Sequence, residues 1–121
     1  MRALSLLCFA IAAVAGCTHT GVTTPADEPK WLVDSIQRIR TKPVRNPPAV
    51  VSRYEFRDGI IVYGITPGCC DFYNVLLDTS GAAICAPSGG ITGRGDGRCP
   101  AALLEEPRRV TIVWRDDRAK S

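Results

Sequence analysis

Few side chains in this 121-residue sequence have chemistry to offer, and the cysteines come first. Cys69, Cys70, Cys85 and Cys99 fall in the second half of the chain, while Cys8 and Cys17 lie near its start. Four thiols in a small domain support either two disulfides or a tetrathiolate zinc site. Neither pair has the two-residue spacing of a zinc ribbon, and the single histidine, His19, stands far from them. Disulfides are the favoured reading. A direct Cys69–Cys70 bridge closes a strained eight-membered ring, so the expectation is that these two reach Cys85 and Cys99, in either order. Each bridge adds about 2–4 kcal/mol.

The second concentration is glycine. Residues 88–99 run Ser-Gly-Gly-Ile-Thr-Gly-Arg-Gly-Asp-Gly-Arg-Cys. Such a run serves positive φ angles or close backbone approach. It reads either as a long surface loop pinned at Cys99 or as a binding loop built on Gly89, Gly90, Thr92, Gly93, Arg94, Gly95, Asp96 and Gly97. Its amides could face an anion, or Asp96 could join Asp71 and Asp78 around calcium. A calcium site needs six to eight oxygens, however, and the spacing matches no EF-hand, so these acids are weak candidates and no metal or other cofactor is assigned. No Gly-Lys-Ser/Thr follows, which excludes a P-loop. Catalysis has little to stand on. His19 lies outside the expected domain, the cysteines are expected oxidised, and the three acids read equally well as turn residues. The expectation is a non-enzymatic protein.

The front end carries an address. Met1 and Arg2 precede an uncharged run, Ala3 to Ala15, rich in Leu, Ala, Val, Ile and Phe. That run is shorter than the roughly 20 residues a membrane-spanning helix needs and has the form of a secretory signal. Val14-Ala15-Gly16-Cys17 resembles the lipobox, where the leader is cut before a cysteine that receives diacylglycerol. Residues 1–16 are therefore expected to be removed and Cys17 to carry the lipid, placing the protein in the bacterial cell envelope, anchored to the membrane. Thr18 follows the cysteine, so in a Gram-negative host the expected destination is the outer membrane, facing the periplasm. The formal net charge of +3 is small and its basic residues are scattered, which argues against a nucleic-acid partner.

These residues must be positioned by a small fold. Residues 17–29 read as the lipidated cysteine and a flexible tether, poor in bulky apolar groups. A single α+β domain is expected over 30–117, with 118–121 as a tail. Lys30 to Thr41 reads as a helix with Leu32, Ile36 and Ile39 on one stripe, Trp31 at its edge, and an Asp34–Arg38 ion pair. Pro43 ends it, and Asn46-Pro47-Pro48 makes a stiff crossing. From Val50 the period becomes two, and Asp58-Gly59 signals a two-residue hairpin turn. That register sets Phe56 opposite Ile61 and Tyr54 opposite Tyr63, on one face. Phe72–Asp78 and Ala82–Ala86 read as a second hairpin about Thr79-Ser80-Gly81, which places Cys85 near Leu76. Arg109–Arg115 reads as a last strand, Val110, Ile112 and Trp114 alternating with Thr111, Val113 and Arg115. One helix packed across a small antiparallel sheet, stapled by disulfides, is the expected architecture.

Over residues 30–100 the chain resembles a family of small bacterial lipoproteins carrying a domain of unknown function. The resemblance rests on Trp31-Leu32, Pro43-Val44-Arg45-Asn46-Pro47-Pro48, Cys69-Cys70-Asp71, Leu77-Asp78, Gly81, Ile84-Cys85, Pro87 and Gly89-Gly90-Ile91-Thr92-Gly93 through Gly95-Asp96-Gly97 to Cys99. It implies domain limits and no catalytic residue. The functional expectation is a domain that binds an envelope protein or component through the Gly-rich loop. The alternative is a calcium- or anion-binding module built on that loop and its neighbouring acids.

Overall fold

A computed structural model of the chain describes residues 27–66 and 71–118. The expected leader 1–16, Cys17, His19, most of the tether, and Cys69 and Cys70 lie outside the described residues. The elements run α1 (Lys30–Arg40), β1 (Val50–Glu55), β2 (Ile61–Ile65), β3 (Leu76–Leu77), β4 (Ala83–Cys85), α2 (Ala101–Leu104) and β5 (Arg109–Arg115). The five strands form one antiparallel sheet in the order β4-β3-β2-β1-β5. The class is α+β. No helix of the described residues is long and apolar enough to cross a membrane.

The helix forms over the stretch its period marks out. Leu32 and Ile36 are buried, and Ile39 is half-buried. Asp34 accepts from Lys30 Nζ at 2.6 Å rather than from Arg38, whose Nη2 donates to Ser35 Oγ at 2.7 Å. A backward i,i+4 pair is thus preferred to the forward one expected from sequence.

The β1–β2 register differs from the expected one by one residue. Phe56 N–H donates to the Ile60 carbonyl (2.9 Å) and Gly59 N–H to the Phe56 carbonyl (3.1 Å), so the loop holds three residues, 57–59. Gly59 closes it at φ +74°, the left-handed position this longer loop requires. Arg53 therefore faces Tyr63, Tyr54 faces Val62 and Glu55 faces Ile61. Since alternate residues point to opposite faces, Tyr63 and Tyr54 part company.

The result is two buried clusters. Tyr63 joins Val51 and Val113 with Leu32 and Ile36 of α1, flanked by Trp31, Ile65, Leu77 and Trp114. Phe56 and Val62 join Leu76, Cys85 and Leu103, flanked by Tyr54, Ile60 and Cys99. The Trp31 and Tyr63 rings meet edge to face at 5.5 Å, and Trp31 Nε1 donates to the Thr79 carbonyl at 2.9 Å. Gly81 lies against that indole, where a Cβ would come within 2.7 Å of Trp31 Cδ2.

In β5 the register slips between Val51 and Ser52, leaving Val113 as the extra residue. This bulge turns Val113 inward, while Val110 and Ile112 are exposed at the sheet edge. β3 is shorter than the expected Phe72–Asp78. Tyr73 pairs instead with Gly89, and Asn74 N–H donates to the Ser88 carbonyl at 3.0 Å.

The disulfide joins Cys85 to Cys99, which corrects the expectation that each would bond Cys69 or Cys70. Leu76 does face Cys85, as the hairpin arithmetic required. The partner comes from the other direction, because the Gly-rich segment reverses and Asp96 N–H reaches the Ala86 carbonyl at 2.9 Å. The bridge spans 14 residues, for which about 3 kcal/mol is expected from restriction of the unfolded chain. Replacing both Cys85 and Cys99 with Ala should lower the unfolding free energy by about 2–4 kcal/mol in urea titrations. A loss below about 0.5 kcal/mol would mean that the bridge is not holding this loop in solution.

Candidate functional site

The Gly-rich loop directs several of its backbone donors to itself and others to the segments on either side of it. Gly89 N–H donates to the Gly93 carbonyl (3.3 Å), Gly90 N–H to Phe72 (3.1 Å), Gly93 N–H to Gly90 (3.1 Å) and Gly95 N–H to Gly89 (3.0 Å). Arg94 N–H approaches Thr92 Oγ1 at 3.4 Å. The glycines are demanded by this packing: a Cβ at Gly95 would collide with the Ala86 carbonyl oxygen, and one at Gly89 with that of Phe72. Gly97 lies at φ +71°. The loop acts as a rigid brace between Phe72–Asn74 and Ala86–Ser88.

The acids serve turns. Asp78 Oδ1 accepts from Ser80 Oγ (2.6 Å), Ser80 N–H (2.8 Å) and Ala82 N–H (3.0 Å). Those bonds, the Ser80 hydroxyl foremost, hold its carboxyl below the usual carboxylate range. Asp96 Oδ1 accepts from Arg98 N–H at 2.9 Å, and its carboxyl is lowered chiefly by that bond. Asp71 is exposed. Among the described residues no three His, Cys, Asp or Glu side chains come together in a way that could hold a metal ion. The loop acids are not assembled into one centre.

A concave site does exist beside the loop. A groove of about 560 Å³ runs over the face of the sheet that carries Tyr54 and Leu76. Its apolar surface comes from Tyr54, Phe56, Leu76, Leu103 and Leu104, and its polar rim from Thr66, Asn74, Ser88 and Glu105. Asn74 Nδ2 donates to Ser88 Oγ at 3.0 Å, tying the rim to the loop wall. Gly64 leaves room for the Tyr54 ring, which a Cβ there would meet at 3.0 Å. An apolar floor with a few polar groups at its edge is the usual make-up of a binding site. The chain also exposes Ile91, Phe72 and Tyr73, at 92%, 68% and 49%.

Two buried carboxylates, neither marked by a motif, lie on the structural side of the account. Glu28, which the sequence reading leaves in the tether, is buried and accepts from Arg53 Nη1 (2.8 Å) and the Tyr63 hydroxyl (2.9 Å). Burial and then the bond to Glu28 push the Tyr63 phenol above its usual value. Asp116, also buried, accepts two bonds from Arg118, at 2.8 Å from Nε and 2.8 Å from Nη2. Arg118 in turn donates to the Arg40 carbonyl (2.7 Å) and the Lys42 carbonyl (3.1 Å), closing the C-terminus of α1. The only advance signal for either carboxylate was its place at the edge of an element, since the partners of Glu28 lie 25 and 35 residues away.

A family model described as Domain of unknown function (DUF6970) matches residues 37–116. No curated protein and no solved structure matches the chain. The matched stretch contains the whole sheet, the disulfide, the Gly-rich loop and the groove.

The lowered carboxyls of Asp78, Asp96 and Asp116 set the acid limit of stability. A carboxyl whose folded value lies below its unfolded value contributes fully above the unfolded value, and the contribution is lost as pH falls through the folded one. For Asp116 the Arg118 hydrogen bonds are the leading cause. Urea midpoints should therefore hold steady from pH 7 to about 5 and fall progressively below about pH 4. Asp116→Asn should lower the midpoint at pH 7 and flatten that acid limb. An unchanged limb in the variant would show that this carboxyl contributes nothing to it.

Proposed function

The chain belongs to the DUF6970 family, and on that premise we propose that it is a membrane-anchored envelope lipoprotein whose folded domain binds a partner rather than transforming a substrate. Export over residues 1–16, lipid on Cys17 and a tether to residue 29 would set the domain near the membrane. Charged start, short apolar run and Val14-Ala15-Gly16-Cys17 support that address. Acyl chains would hold it there, each buried methylene contributing about 0.8 kcal/mol. In the domain, α1 would lie across one face of the sheet, leaving the opposite face to present the groove.

One observation carries the binding reading: the groove of about 560 Å³, with an apolar floor and the exposed Leu104 in its lining. An extended apolar segment of an envelope protein fits that form. Its side chains would enter beside Leu103 and Leu104, and its backbone would meet Asn74, Ser88 and Thr66 at the rim. In this reading the Gly-rich loop supplies a stiff wall, and the partner meets its surface instead of its amides. The calcium- or anion-binding alternative built on that loop has less support, because Asp78 and Asp96 already accept local N–H groups.

Two measurements test the reading. The intact mass of protein purified from membranes should show a diacylated or triacylated chain beginning at Cys17, and an unlipidated chain would remove the address. Envelope extracts passed over the wild-type protein should yield a saturable protein partner. Leu104→Asp, at a residue 63% exposed, should weaken its retention at least tenfold with the thermal midpoint unchanged within about 2 °C. Equal retention by the variant would exclude the groove as the binding surface.

A further inference from the structure

A second concavity lies at the C-terminal end of β1, of about 350 Å³ and mostly polar. Three arginines line it: Arg57 from the hairpin loop, and Arg108 and Arg109 from the start of β5. We propose that this pocket is a binding site for a phosphate-type oxyanion, held by the guanidinium groups of Arg57, Arg108 and Arg109.

The backbone brings these residues together. Arg108 N–H donates to the Glu55 carbonyl at 2.7 Å, fastening the entry of β5 to the end of β1. Glu55 faces Arg109 on one side and Ile61 on the other, so three chain segments meet at this point. The closed loop 57–59 then brings Arg57 into the lining, beside the buried Phe56. Pro107 restricts the backbone just before Arg108.

The charges do not balance within the pocket. Glu55 is the one carboxylate in its lining. Its oxygens lie 3.6 Å from Arg53 Nε and 3.6 Å from Arg109 Nη1, beyond direct hydrogen-bond contact. Among the described residues the side chains of Arg57 and Arg108 meet no partner. Asp58, the other acid of the hairpin, does not line the cavity. Three guanidinium groups against one carboxylate leave two positive charges on one concavity, where like charges repel until an anion enters. A phosphate near neutral pH carries about −1.5 to −2 charge and offers several acceptor oxygens, which suits forked guanidinium donors. Free phosphate or phosphate ester and the phosphodiester headgroup of an anionic lipid share this chemistry. Neither source involves the groove or depends on the reading of it.

The test is titration of the full-length purified protein with inorganic phosphate, followed through the arginine Nε–H resonances at low and constant ionic strength. Saturable shifts at Arg57, Arg108 and Arg109 are expected. The Arg57→Gln/Arg108→Gln double variant should bind about tenfold more weakly or worse, with an unchanged thermal midpoint because both side chains lack partners. Glu55→Gln, which removes the competing carboxylate, should tighten binding several-fold, an outcome that a purely structural role for Glu55 does not give. Glycerophosphoglycerol in a parallel titration distinguishes the sources. Tighter binding of the diester assigns a lipid headgroup, and tighter binding of the free ion assigns free phosphate or phosphate ester. Shifts that never saturate with either probe, or that chloride reproduces at the same ionic strength, would overturn the proposal, as would an Arg57→Gln/Arg108→Gln variant that binds like wild type.

Discussion

The β1–β2 register is the constraint on which the rest of this molecule depends. Closing the hairpin at Phe56 and Ile60 rather than one residue further along places Tyr63 and Val51 on the same side as α1 residues Leu32 and Ile36. It sends Tyr54, Phe56 and Val62 to the opposite side. Because the side-chain period of a strand is two, a slip of one residue would carry Tyr63 to the side of Tyr54 and Val62 to the side of Val51. Tyr63 would then lose both its bond to Glu28 and the edge contact with Trp31. A sheet with apolar residues on both faces needs cover on both. The second face takes it from the 85–104 segment, through Cys85, Cys99 and Leu103. That segment is short, so its cover is incomplete, and the uncovered part is the groove.

The charged interactions make the same register expensive to leave. Glu28 and Asp116 are buried carboxylates that each meet a guanidinium, one beside the start of α1 and the other beside its end. A buried charge without its partner costs several kcal/mol, so each pair penalises arrangements that separate its members. Arg118 is the clearest case, because one guanidinium serves the Asp116 carboxylate after β5 and two carbonyls at the end of α1. The pocket at Arg57, Arg108 and Arg109 has the opposite character. Its cations are exposed, and the side chains of Arg57 and Arg108 meet no partner among the described residues, which costs little in stability and leaves them free for a ligand.

Much of the architecture is written locally and was legible. The stripe of Leu32, Ile36 and Ile39 marks a helix, the alternation from Val50 marks a strand, and the bounds of β5 follow from its own residues. What failed was decided at a distance. Asp58-Gly59 suits a two-residue turn, yet Gly59 equally serves the left-handed position of a three-residue loop, and only the burial of Tyr63 in the cluster with Val51, Leu32 and Ile36 selects between them. The disulfide partner of Cys85 depends on the Gly-rich segment doubling back to Ala86, which spacing does not encode. Phe72–Asp78 has strand-like composition, but Tyr73 and Asn74 are taken up by Gly89 and Ser88. The candidate sites were the least legible. The groove combines residues from β1, β3, the Gly-rich loop and α2, a four-residue helix too short to show a period. The arginine pocket needs Arg57 and Arg108, 51 residues apart in sequence, to meet at the end of β1.

The most direct test of this account is the pattern of cross-strand Hα–Hα nuclear Overhauser effects in the β1–β2 hairpin. Pairs without mutual hydrogen bonds bring their Cα atoms to about 4.5 Å, and the Phe56–Ile60 closure makes these pairs Glu55–Ile61 and Arg53–Tyr63. Strong effects between Arg53 and Tyr63 and between Glu55 and Ile61 are predicted. Strong effects between Tyr54 and Tyr63 instead would show the two-residue turn, carry Tyr63 to the face of Tyr54, and contradict both its bond to Glu28 and its edge contact with Trp31.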